Sequence, residues 1–334
     1  MYILGISCFY HDAAAALLKD GVLVAAAMEE RFSRKKHDSS FPEQAIAFCL
    51  SEAGIQSSDI EHVVFYEKPL MKLERILLSV LGTYPKSAGA WREALTNWVR
   101  DKLWIKSVIG KEVGIDYNKI LFCDHHMSHA ASAFFASPFR EAAVMTVDGV
   151  GEWTTTTLGK ASSYWTGEQG VNDITLFAEQ RFPQSLGLLY SAFTAYLGFR
   201  VNNGEYKVMG MSPYGEPRYV DKVQKLYTLN PDDGSFSLNL DYFAFPYSAE
   251  HTFNQRFIDL FGPTRPAEDD FFTMKTNPER SAERAAMERN QQYADIAASI
   301  QHVTEDTLIA MANYLHKQTG LKQLVMAGGV ALNT

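Results

Sequence analysis

The chain has 334 residues, 46% apolar and 21% charged, which suits two domains or one large α/β unit with ample material for a core. Its net charge of −8 excludes a global basic field for nucleic acid, and three scattered cysteines (Cys8, Cys49, Cys123) without a CxxC exclude a disulfide scaffold and fit a reducing cytosol. The first apolar run lacks a basic leader, and no stretch reaches the roughly 20 apolar residues that cross a bilayer, so a cytoplasmic protein is expected.

MYILGISCFY reads as a strand, HDAAAALL as a second, and VLVAAAMEERF as a third returning from the turn signal KDG at 19–21. FPEQAIAFCLSEAGI has Pro42 at its start, helical apolar spacing and Gly54 as its stop. HVVFYE is another strand, and residues 68–110 are expected to be largely helical. A second pattern opens at AAVMTVDGVGEWTTTTLG: an apolar strand, a turn with an acid and glycines, a Thr-rich strand, then DITLFAEQRF after the connection TGEQG. Two units of three successive strands therefore begin near residues 2 and 142, alike in pattern though not in sequence. That points to two related α/β lobes, and the absence of GxGxxG after the first strand argues against a dinucleotide fold.

Further along, SLGLLYSAFTAYLGF reads as an amphipathic helix, NNGEYKVMGMSPYG as a glycine-rich loop and SFSLNLDYFAF as strand plus turn. Residues 264–280 are polar and contain prolines, which predicts an exposed loop. A long helix at about 281–319 should pack along the second lobe, stop at Gly320 and lead into a strand at 322–327 that enters a Gly-Gly turn. Such a turn should continue into a helix, so this chain is expected to be a fragment of a longer protein.

CDHHMSHAA places three of the chain's nine histidines within five positions. A helix starting near Asp124 sets His125 above His129 on one face, with His126 about a quarter-turn away. Two imidazoles at i, i+4 form a metal clamp; the same spacing also serves a packed or surface helix whose imidazoles bond locally. Asp148, at a strand end beside small residues, could join them as a two-histidine, one-carboxylate set suited to non-haem iron, or it could cap its own turn. NNGEYKVMG, with Glu205 and Lys207, and AGGVALN, with Asn333, are weak nucleotide signals singly and together suggest a phosphate cleft. His11 could act as a base or an oxyanion donor, or bond its own turn. Lys36 or Arg34 could clamp an anion, although RFSRKKHD more often forms a solvated face.

GISCFYHDAAAALL, EERFSRKKHDSSFP, DHHMSHAASAFFASPF, DGVGEWTTT, GEYKVMGMSPYG and AGGVALNT, in order across nearly the whole chain, resemble the NodU/CmcH-type O-carbamoyltransferases. Those enzymes carbamoylate nodulation factors, cephalosporins and aminoglycosides, and their N-terminal part is similar to the tRNA threonylcarbamoyl-transfer proteins. The resemblance implies a duplicated actin/sugar-kinase/Hsp70-like fold of ribonuclease H-like lobes, the first over 1–140 and the second, incomplete, over 141–334. It implies that carbamoyl phosphate and ATP form carbamoyladenylate in a C-terminal YrdC-like domain, and that the carbamoyl group then passes to a hydroxyl of a small-molecule or sugar acceptor.

By position, His125, His129 and Asp148 match the family's metal ligands, with iron(II) first and zinc or manganese as alternatives. Gly204, Glu205 and Lys207, with Gly328, Gly329 and Asn333, match its ATP and carbamoyladenylate loops. His11 and Lys36 fall in its active-site motifs, and His126 is left a supporting or structural role. The implied mechanism gives the metal a Lewis-acid role, His11 the hydroxyl proton and AMP the leaving role. The family's last metal carboxylate and its YrdC-like domain lie downstream of GGVALN, so the fragment is expected to be inactive alone. A homodimer is compatible with it. The alternatives are an ATP-binding kinase or ATPase of the same superfold, for which two imidazoles are the wrong ligands to magnesium, and a tRNA-modification protein, which the acidic balance disfavours.

Overall fold

Alternation of side chains makes the first strand, β1 (Tyr2–Ser7): Leu4 and Ile6 face a core and are 0% and 2% exposed. The computed structural model describes residues 1–89, 103–166, 169–248 and 250–333. The segment turns back into β2 (Ala14–Lys19), then through Asp20 and Gly21, both with positive φ (50° and 82°), into β3 (Val22–Met28). Those two left-handed residues match the twist of the hairpin they join. β4 (Ile60–Phe65) and β5 (Ile120–Phe122) complete a sheet of order β3-β2-β1-β4-β5, in which β1, β2 and β3 are antiparallel and β4 and β5 run parallel to β1.

The helix Glu43–Ala53 crosses from β3 to β4 and buries Ala45, Ile46 and Cys49 against the sheet. Gly54 ends it in the left-handed region at φ 64°. Its first turn is capped from a distance. Glu29, only 3% exposed, accepts from the Gln44 N–H at 3.2 Å and the Ala45 N–H at 2.8 Å. This corrects the expected third strand: it stops at Met28, and Glu30–Ser33 forms a helical turn, because Glu29 must turn inward to satisfy those donors.

Helices Pro69–Gly82 and Ile105–Val113 bear out the helical reading of 68–110 over their own spans, while 83–87 form turns; residues 90–102 lie outside the described residues.

The second unit repeats the topology. β6 (Glu141–Val147), β7 (Thr154–Thr166) and β8 (Gln169–Arg181) are successive antiparallel strands. A short hairpin follows, β9 (Tyr227–Leu229) with β10 (Phe236–Leu238), and then β11 (Leu324–Ala327), which lies parallel to β6 in the order β11-β6-β7-β8. β6 therefore corresponds to β1 and β11 to β4. This duplicated topology is the actin/sugar-kinase/Hsp70-like architecture.

β6 is buried on both faces, which explains the unbroken run AAVMTV. Ala142 and Val144 pack with Ala130 and Phe134 of the helix His125–Phe135, while Ala143, Met145 and Val147 face the larger core. That core includes the helices Leu186–Tyr196 and Arg284–Thr319.

Several local expectations are corrected. The Leu186–Tyr196 helix is buried on nearly every face rather than amphipathic, since a stretch without a single charge is enclosed by core on all sides. The glycine-rich NNGEYKVMG is not all loop: Glu205–Met211 is helical, with Gly204 at its N-cap. Residues 264–280 are not simply exposed, for Arg265, Phe272 and Thr273 are buried and Arg280 stacks over the Phe272 ring.

The chain separates into compact units after Ser128, inside the His125–Phe135 helix, and Ser79–Ala90 goes with the second unit. The expected division at 140/141 differs because that helix packs its C-terminal half on β6. No helix among the described residues is long and apolar enough to cross a membrane.

Candidate metal centre and nucleotide loops

The helix His125–Phe135 begins directly after Asp124, whose carbonyl accepts the Ser128 N–H at 2.8 Å and whose carboxylate holds Lys68 at 2.8 Å. His125 and His129 stand one turn apart, fixed to one another by a continuous helix. His126 is turned inward and is 3% exposed. The His125 and Tyr66 rings meet edge to face with centroids 5.6 Å apart, and burial raises the Tyr66 hydroxyl far above the ordinary phenol range.

Asp148 follows β6, and its N–H is held by the Thr155 carbonyl at 2.9 Å. The next helix approaches this turn so closely that a Cβ on Gly187 would sit 2.7 Å from the Asp148 carbonyl oxygen. Only glycine permits that approach. Ser185, the N-cap of the same helix, donates to the Gly149 carbonyl at 2.6 Å and locks the turn. The Asp148 carboxylate then has two engagements: Oδ2 lies 3.3 Å from His129 Nε2, and Oδ1 accepts the Gly329 N–H at 3.1 Å.

The donor atoms of His125, His129 and Asp148 all lie within 4.8 Å of one another. Ligands at adjacent positions around a metal, each about 2.1 Å from it, are about 3.0–3.5 Å apart, which is the His129–Asp148 spacing. Two imidazole nitrogens and one carboxylate oxygen suit iron(II), zinc or manganese and not magnesium. The residues present fit such an ion.

Residues 2–334 match the family described as Carbamoyltransferase N-terminus. The chain belongs to this family. An uncharacterised protein of Synechocystis is 49% identical over 99% of this chain and 51% of its own length. Nodulation protein NolNO of Sinorhizobium fredii is 32% identical over 97% of this chain and 41% of its own. The chain thus spans about half or less of these relatives. Among solved structures, component A of (R)-2-hydroxyglutaryl-CoA dehydratase from Acidaminococcus fermentans aligns with all of this chain and 85% of its own, at 13% identity and a TM-score of 0.41. The ROK hexokinase of Thermus thermophilus aligns with all of this chain and 84% of its own, at 14% identity and a TM-score of 0.32. Both likenesses are distant, and the strand order within each unit is what defines the fold.

The two glycine loops of this family member meet on one helix. Ser191 donates to Glu205 Oε1 at 3.1 Å, while the neighbouring Tyr190 hydroxyl donates to Gln301 Oε1 at 3.0 Å. Gln301 and Asn333 exchange amide hydrogen bonds in both directions, at 2.6 and 3.1 Å. Glu205 also accepts from the Asn202 and Gly204 N–H groups, so its carboxylate shapes the loop. The Lys207 ammonium lies over the Phe199 and Tyr206 rings at 5.7 and 6.0 Å. Gly328 has φ 97°, and a Cβ there would collide with the Val147 carbonyl oxygen.

His11 and Lys36 belong to the first unit, where Lys36 and Arg34 are exposed on the loop after the Glu30–Ser33 turn. His11 Nδ1 bonds Asp12 Oδ2 at 2.8 Å, and the other Asp12 oxygen bonds His37 Nδ1 at 2.9 Å. Sequence reading missed Asp12, Glu30 and His37. The signal was the repeated His-Asp dipeptide, at 11–12 and again at 37–38. Asp38 is held at a pKa of about 2 by hydrogen bonds from Ser33 and Ser40, which close its own loop.

Proposed function

We propose that the whole protein is an O-carbamoyltransferase that passes the carbamoyl group of carbamoyladenylate, formed from carbamoyl phosphate and ATP, to a hydroxyl of a small-molecule or sugar acceptor. The observation that carries this reading is the convergence of His125, His129 and Asp148 within 4.8 Å in a chain of the carbamoyltransferase family. A divalent metal held by these three residues, iron(II) first, would supply Lewis-acid polarisation of the carbamoyl carbonyl.

The remaining work falls to the chain's own groups. His125 and His129 are aligned by the helix, and Asp148 is aligned by the Gly329 N–H, so the donor set is organised before any ligand arrives. The Gly204 and Gly328–Gly329 turns present backbone near the Tyr190–Ser191 stretch and position the adenylate. His11 takes the acceptor's hydroxyl proton, and Lys36 supplies positive charge to the phosphate.

The test is a transfer assay on the whole protein with carbamoyl phosphate, ATP and a panel of hydroxyl acceptors, following AMP and the carbamoylated product. Metal analysis of the same preparation accompanies it. Transfer to a hydroxyl with about one bound transition metal per chain is the expected result. ATP hydrolysis or phosphoryl transfer without a carbamoylated product would assign the site to a kinase or ATPase instead.

A further inference from the structure

Two imidazoles share one carboxylate in the first unit. Asp12 Oδ2 is 2.8 Å from His11 Nδ1 and Asp12 Oδ1 is 2.9 Å from His37 Nδ1. A carboxylate accepts hydrogen bonds and does not donate them, so both Nδ1 atoms carry the proton and Nε2 is the basic nitrogen of each ring. The side chains of His11 and His37 are 47% and 38% exposed, so both rings are open to solvent.

The backbone around them is held in a costly shape. Phe9, Asp12, Arg34 and His37 all have positive φ, between 50° and 65°, although none is glycine. Such residues persist only where surrounding contacts over-determine them, and they cluster at functional sites. Those contacts are present. Phe9 N–H donates to the Ser39 carbonyl at 2.8 Å and Ala13 N–H to the Asp38 carbonyl at 2.7 Å, joining the two loops on either side of the imidazoles. Glu30 accepts the His37 N–H at 3.0 Å.

We propose that Asp12 and His37 are positioning residues for His11: Asp12 fixes the His11 ring with Nε2 as its base, and His37, by engaging Oδ1, leaves Oδ2 alone to hold His11. This deepens the transferase reading and rests on it for the identity of the step. In that step the acceptor oxygen bonds to the carbamoyl carbon while its proton moves to His11 Nε2. The bond from that carbon to the adenylate phosphate oxygen breaks, and AMP leaves with the electron pair. The imidazolium so formed is stabilised by the Asp12 carboxylate beside it.

The test joins a spectroscopic readout to a kinetic one. In the 15N-histidine-labelled whole protein, two-bond 15N–1H correlation should show His11 and His37 protonated on Nδ1. Asp12→Asn keeps a residue that tolerates the left-handed backbone, and it should shift His11 toward the Nε2–H form preferred by free imidazole. In the whole protein the same variant should lower kcat of carbamoyl transfer about 10²- to 10⁴-fold, with KM changed less than about threefold. His37→Gln, whose amide can still donate to Oδ1, should retain most of the rate, and His37→Phe should lose about tenfold or more. An Nε2–H tautomer in the native protein overturns the proposal. So does an Asp12→Asn variant with unchanged His11 ring shifts, or one with unchanged kcat. If the native protein transfers carbamoyl to no hydroxyl, the transferase reading fails, and the tautomer measurement still decides the positioning.

Discussion

Asp148 and Gly329, 181 residues apart, are joined by a hydrogen bond of 3.1 Å from the glycine N–H to the carboxylate Oδ1, while the other oxygen of Asp148 faces His129. One carboxylate thus ties the turn after β11 to the candidate metal ligands. A donor held by a partner of this kind loses affinity when the partner is disturbed.

Gly329→Ala tests that link. A Cβ at Gly329 would stand 3.1 Å from Asp148 Oδ1, so the carboxylate must move by a few tenths of an ångström. Iron(II) or zinc affinity, measured by competition with a chromogenic chelator, should fall about 10-fold or more with thermal stability nearly unchanged. Unaltered affinity would mean that the Asp148 orientation does not depend on the Gly329 turn.

On the proposed carbamoyltransferase reading, His125→Ala should abolish carbamoyl transfer and leave carbamoyladenylate formation intact, because the family resemblance implies adenylation in a separate domain. Bound metal should fall in the same variant. AMP release with an acceptor and pyrophosphate release without one separate the half-reactions. Equal loss of both in a folded variant would refute the division of labour.

A buried ion pair in the first unit predicts a stability effect independent of catalysis. Glu67 and Lys72 are 2.6 Å apart with side chains only 4% and 8% exposed, and the Lys72 ammonium also lies 4.9 Å from the Tyr10 ring centroid. Removing one partner leaves the other charge buried, so Glu67→Gln should cost about 3–5 kcal/mol in urea denaturation. Adding Lys72→Met should recover much of that loss. A double variant no more stable than Glu67→Gln alone would show that the pair is not coupled.

Alkaline unfolding should be steep. Burial pushes the Tyr227 hydroxyl up to about 12, against the opposing effect of its hydrogen bond with Thr307, and burial also raises Tyr190 and Tyr196. A folded-state pKa above the unfolded one means that the stabilisation is complete below the unfolded value of about 10 and is lost as pH rises toward 12. Tyrosinate absorbance at 295 nm should therefore lag behind an exposed-tyrosine titration and then jump together with the loss of circular dichroism. A smooth titration of all 16 tyrosines with no cooperative step would contradict it.

Where the physics is local, the sequence alone was sufficient. Helical periodicity placed His125 and His129 on one face, the Asp20–Gly21 turn joined β2 to β3, and the repeated strand pattern announced two related units. It misjudged elements whose state depends on distant partners. The third strand stops at Met28 because Glu29 caps a helix 14 residues later in the chain. Glu205–Met211 is helical because Glu205 is satisfied by Ser191 and by the N–H groups of its own loop. Only the tertiary structure could show that Asp12 serves both His11 and His37, or that Asp148 reaches Gly329. A carboxylate has two oxygens and no memory of chain order, and which donors meet them is decided by packing rather than by spacing.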